Sequence, residues 1–92
     1  MHFLKEHLVR TDYEWPESKN LQFSGTPGRQ VFDRFNGNHL LYIINVFGES
    51  IGKLSIDDGQ KIEMLISQLP FNLKSELSVF NWLKGKYLYY WN

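Results

Sequence analysis

The sequence predicts a small α+β domain: an antiparallel sheet of three or four strands, packed on one face by two C-terminal helices. Three observations carry that expectation. Asn36-Gly37 stands between two apolar segments, where a tight hairpin turn would fall. Leu40 to Phe47 is an apolar run rich in Tyr, Ile and Val, the composition of a central strand. From Ile62 onward apolar residues recur at helical spacing.

The N-terminal stretch MHFLKEHLVRTDYEW supports two element types. Met1, Leu4 and Leu8 share a helical face and Glu6 precedes Arg10 by four residues, yet Leu8 to Trp15 also suits a strand, so residues 1–15 stay open. Pro16 to Arg29, PESKNLQFSGTPGR, reads as a long loop with a short extended piece at Leu21 to Phe23. Residues 27–36 again have two readings. In the first, Asn36 and Gly37 supply the positive φ angles of a type I′ turn and a hairpin forms around 36-37. In the second, Thr26 caps a helix that begins at Pro27, ends at Gly37 and carries Val31, Phe32 and Phe35 on one face. The sheet is built on the hairpin. Under either reading 40-47 is a strand, apolar on both faces and therefore central.

The second half is more sharply patterned. Ser55-Ile-Asp-Asp58 has the spacing of a capping box, and Ile62, Leu65, Ile66 and Leu69 follow at i, i+3, i+4, i+7 before Pro70 ends the helix. A second helix is expected to start between Asn72 and Ser75, to align Leu73, Leu77, Phe80 and Leu83, and to stop at Gly85 between Lys84 and Lys86. Trp82 falls almost opposite Leu73. The ending KYLYYWN alternates aromatics and predicts a last strand, 87-91, at the sheet edge.

Composition narrows the function classes. A chain of 92 residues accommodates one domain, 1-92, and 42% hydrophobic with 22% charged residues is a globular balance. Ten basic and ten acidic side chains cancel, so the excess of cations that nucleic acid or an anionic membrane usually demands is missing. There is no cysteine, which excludes disulfides and thiolate ligands and is compatible with a reducing compartment. No apolar run is long enough to span a bilayer, and Lys5, Glu6 and His7 interrupt the place where a signal peptide needs its apolar core. The expectation is a cytoplasmic protein with no membrane association.

Motifs that carry chemistry do not survive inspection of their spacing. GESIGKLS resembles a phosphate-binding loop, but Gly48 and Gly52 are three residues apart instead of four, and Leu54 separates Lys53 from Ser55. Turn formation by the glycines and helix capping by Ser55 explain the stretch better. Asp57 and Asp58 suit the first turn of a helix, where the dipole favours carboxylates. His2, His7 and His39 lack ligand spacing, and Ser24, Ser50 and Ser78 lack a nucleophile elbow. No catalytic, metal or cofactor residue is assigned. Asn45 interrupts the apolar run, and a structural hydrogen bond to a neighbouring loop accounts for it better than a ligand contact.

The C-terminal aromatics remain. Trp82, Tyr87, Tyr89 and Trp91 are the interaction candidates, because Tyr and Trp serve as anchors in protein interfaces. The function expected is a non-enzymatic protein–protein interaction or regulatory module, self-associating as a homodimer through the aromatic edge strand. The alternative is a single-stranded nucleic-acid binder that stacks bases on the same rings and holds phosphates with Lys74, Lys84 and Lys86. Plain core packing competes with both.

Overall fold

The computed structural model describes residues 3–15, 28, 31–52 and 55–91, with the backbone alone for 87–91. Three helices make up its regular structure: α1 (Gly37–Ser50), α2 (Ile56–Ser67) and α3 (Glu76–Trp91). Each packs against the other two. An extended strap, residues 3–15, lies across them and is interrupted only by a 3-10 turn at Lys5–His7. Among the described residues there is no strand, only isolated bridges between Glu14 and Asn36 and between Val31 and Ser75. The expected α+β sheet is therefore replaced by an all-helical globule.

The hairpin at 36-37 is the start of α1. The Asn36 Oδ1 accepts from the amides of Asn38 at 2.9 Å and His39 at 3.4 Å, so Asn36 is a helix N-cap and not a turn residue. The Gly37 amide, left over at the first turn, donates to the Glu14 carbonyl of the strap at 2.8 Å. Residues 31–36 are not helical either, so the second reading of 27–36 fails where the chain is described, and Thr26 and Pro27 lie outside the described residues.

The run 40-47 is the centre of α1, not a strand. Leu40, Leu41, Ile43, Ile44, Val46 and Phe47 are all buried, because α2, α3 and the strap surround this helix. A helix covered on most sides has no polar face and reads like a buried strand. Ile and Val lose only tenths of a kilocalorie by being helical. Burial of such side chains, at about 1.5–3 kcal/mol each, outweighs that loss.

α2 follows its pattern. Ser55 Oγ accepts from the Asp58 amide at 3.1 Å, and Ile62, Leu65, Ile66 and Leu69 are buried. α3 begins at Glu76, directly after the expected window Asn72 to Ser75, with Ser75 Oγ accepting from the Ser78 amide at 3.1 Å. It does not stop at Gly85, and 87-91 is helix instead of the expected edge strand. Gly85 meets no neighbour within 4 Å, so it costs the helix about 1 kcal/mol relative to alanine but does not break it. Of the face expected on α3, Leu83 is fully buried and Phe80 packs edge-on against Phe47 at 5.5 Å, whereas Leu77 is exposed and Val79 takes an inner place. The long loop 16-29, apart from Gly28, lies outside the described residues.

The strap is fixed by side chains of α1 and α2. Asn45 Oδ1 accepts from the Phe3 amide at 2.7 Å, while its Nδ2 donates to the Phe3 carbonyl at 2.9 Å and the Leu41 carbonyl at 2.8 Å. The structural hydrogen bond expected of Asn45 is this one, made from a helix. Gln60 Nε2 donates to the His7 carbonyl at 3.0 Å. Buried Glu63 accepts from the amides of Val9 at 2.9 Å and Arg10 at 3.1 Å and from the Tyr13 hydroxyl at 2.7 Å. Phe3 is fully buried against Gly59, and Trp15 covers Gly37.

Candidate functional site

Several polar groups that could do chemistry are engaged in the fold. His39 Nδ1 accepts from the Asp33 amide at 3.0 Å, and His7 Nδ1 accepts from the Leu4 amide at 3.0 Å. Glu63 and Tyr13 face each other, but burial first, then the hydrogen bond to Glu63 and its charge, push the Tyr13 hydroxyl above the ordinary tyrosine range. A phenol held neutral in this way is a poor base at neutral pH. Among the described residues no group of three or more His, Cys, Asp or Glu side chains could hold a metal ion. In the GESIGKLS stretch Gly48 is buried inside α1, Gly52 makes the following turn at φ 71°, and Ser55 caps α2. Lys53 lies outside the described residues.

Of the residues singled out at the C-terminus, the side chains of Trp82, Lys74, Lys84 and Lys86 are described. Trp82 is half-buried against the core, and the Lys86 Nζ stands 5.9 Å from its ring centre, one helical turn on. Tyr87, Tyr89 and Trp91 belong to the last turns of α3, and their side chains lie outside the description. Lys74 precedes α3, and Lys84 and Lys86, two positions apart on a helix, project from nearly opposite sides. All three lysines are exposed.

A different surface gathers exposed apolar side chains. The strap and the outer side of α2 present Val9 and Met64, and the turns before α1 and after α2 present Phe35 and Phe71. Phe71 is 79% exposed. Two adjoining hollows run through this face. One of about 410 Å³ is lined by Val9, Asp57, Gln60, Lys61 and Met64, and one of about 220 Å³ by Tyr13, Arg34, Phe35, Ile66 and Phe71. Arg10 and Ser67 border both.

Phe71 is held in its outward position. Buried Leu69 anchors the chain on one side of Pro70, and the Leu73 amide donates back to the Pro70 carbonyl at 3.3 Å. The Arg34 guanidinium lies 4.6 Å from the Phe71 ring centre and donates to the same carbonyl at 3.1 Å. On the other side of the hollow the exposed Arg10 forms a two-point pair with Asp12, at 2.7 and 3.2 Å. That hydrogen bond, followed by the Coulomb attraction, raises the Arg10 value; the same bond lowers the Asp12 carboxyl.

None of Val9, Phe35, Met64 and Phe71 is singled out by the sequence pattern alone. Signals in the sequence do point to two of them. Met64 falls off the Ile62, Leu65, Ile66, Leu69 face of α2, and Phe71 follows the proline that ends the apolar pattern, so both are large apolar residues without a core position.

A third hollow, about 850 Å³, lies between the strap and α1 and is lined by Leu4, Leu8, Trp15 and Leu41. It borders Trp15, beyond which the next described residue is Gly28. No helix among the described residues is long and apolar enough to cross a membrane. Comparison with known proteins finds no family model, no curated protein and no solved structure that matches this chain.

Proposed function

We propose that this protein is a non-enzymatic protein–protein interaction module that docks through the face formed by the strap, α2 and the turn carrying Phe71. The observation that supports the reading is Phe71, a phenylalanine 79% exposed yet braced from behind by Arg34. Leaving such a ring in water forgoes about 1.5–3 kcal/mol that a partner's pocket would supply. Because the ring is already held, little side-chain freedom is lost on docking. The adjoining hollows beside Val9 and Met64 give the partner somewhere to fit, and the arginines beside the aromatic rings are the residue types that anchor interfaces. The reading includes a cytoplasmic location, supported by the cysteine-free sequence.

Site-specific photo-crosslinking in cells that naturally make the protein tests it. A photoreactive phenylalanine analogue at position 71 or 64 is expected to give the same dominant adduct, identifiable by mass spectrometry. The analogue at exposed Asn81 of α3 is the control. An indistinguishable spread of weak adducts at all three positions would sink the proposal.

A further inference from the structure

The geometry points to a second copy of this chain as the occupant of the face, in a two-fold dimer where Phe71 of each copy enters the Val9–Met64 hollow of the other. This rests on the interaction reading above and names its partner. A two-fold contact requires one patch to carry both a projection and its receptor. Here they lie side by side: the hollow flanking Phe71 and the one flanking Met64 share Arg10 and Ser67 as their common border. An axis passing near that border exchanges projection and receptor between the copies.

Charge favours the same occupant. The exposed Arg10–Asp12 pair places both signs at the border, and the Met64 hollow has Lys61 and Asp57 on its rim. A partner that presents both signs in the same arrangement complements each set, and a second copy does so. A second copy turned about the axis brings its Asp12 to Arg10 and its Arg10 to Asp12, so that two pairs within chains become a four-charge network across them. The chain's formal net charge of zero removes long-range repulsion between copies.

The test is the mass of the full chain in solution, by light scattering and sedimentation across about 1 to 100 μM, the range in which modest interfaces form. The wild type is expected to pass from monomer to dimer over that range. Phe71→Ser and Met64→Asp, both at exposed positions, are expected to stay monomeric with unchanged circular dichroism, whereas Leu77→Ser, exposed on α3 and lining neither hollow, dimerises as the wild type does. Arg10→Asp and Asp12→Arg chains are each expected to dimerise at least tenfold more weakly, and an equimolar mixture to recover a mixed dimer. A wild type that stays monomeric throughout overturns the dimer and leaves the docking face to be judged by crosslinking to another protein. A dimer that survives both Phe71→Ser and Met64→Asp also overturns it, since self-association then uses another surface.

Discussion

Glu63 is a buried carboxylate whose charge is met by neutral donors: the Val9 and Arg10 amides and the Tyr13 hydroxyl. Each such bond to a charged acceptor contributes about 1.5–3 kcal/mol. The Tyr13 proton is therefore part of the fold. Its folded value is raised above that of an unfolded tyrosine, so the stability it contributes is fully present below about pH 10 and is lost as pH rises through the folded value. In urea unfolding near neutral pH, Tyr13→Phe is expected to be less stable than the wild type by about 1–3 kcal/mol. Above about pH 10 that gap should narrow, because the unfolded wild type releases a proton that its folded form retains. A gap that does not change with pH would mean that Glu63 does not hold the Tyr13 proton. Glu63 was not legible from the sequence, because a glutamate between Ile62 and Leu65 looks like the border of an apolar face. Asn45 was legible as a buried amide needing partners, since it stands inside an apolar run, but its partner Phe3 lies 42 positions away.

The helices differ in how much of their origin is local. α2 carries its own start and stop, Ser55 with Asp58 and then Pro70, and its buried face follows one period. Sequence reading finds such an element. α1 has a cap residue, Asn36, that serves equally well in a hairpin turn, and an apolar run that fits a buried helix or a buried strand. What decides is tertiary: α2, α3 and the strap cover it. The end of α3 is similar, since the strand preference of KYLYYW matters only where a sheet exists to receive it. Two glycines separate local from tertiary control in one experiment. Gly85→Ala, on an exposed stretch with open space around it, is expected to stabilise by up to about 1 kcal/mol through helix propensity. Gly59→Ala gains the same propensity but drives a methyl group into the buried Phe3 ring, and is expected to destabilise by about 1–3 kcal/mol. Thermal or urea unfolding of the two variants reads the signs, and a stabilised Gly59→Ala would show that Phe3 does not occupy the gap above α2.

At the scale of the whole molecule, the question is whether the strap unfolds together with the helices. It adds no helix, but it supplies a fully buried phenylalanine and bonds its backbone to Asn45, Gln60 and Glu63 on two different helices. Releasing it would expose Phe3 and exchange its protein hydrogen bonds for bonds to water, against the backbone entropy that the released residues regain. These contacts tie the strap to the core formed by α1 and α2, so its amides are expected to exchange only when the whole molecule opens. In native-state hydrogen exchange, the amides of Phe3, Val9 and Arg10 are expected to match the protection of Leu41 to Phe47 in α1. Glu63→Gln tests the coupling, because an amide offers one acceptor oxygen where the carboxylate used two, and its NH2 faces a donor. If strap and helices are one unit, Glu63→Gln lowers the protection of both by the same factor. Were the strap amides alone to lose protection, the strap would be a separately opening segment, and the polar clamp on its backbone would hold position without contributing to the stability of the helices.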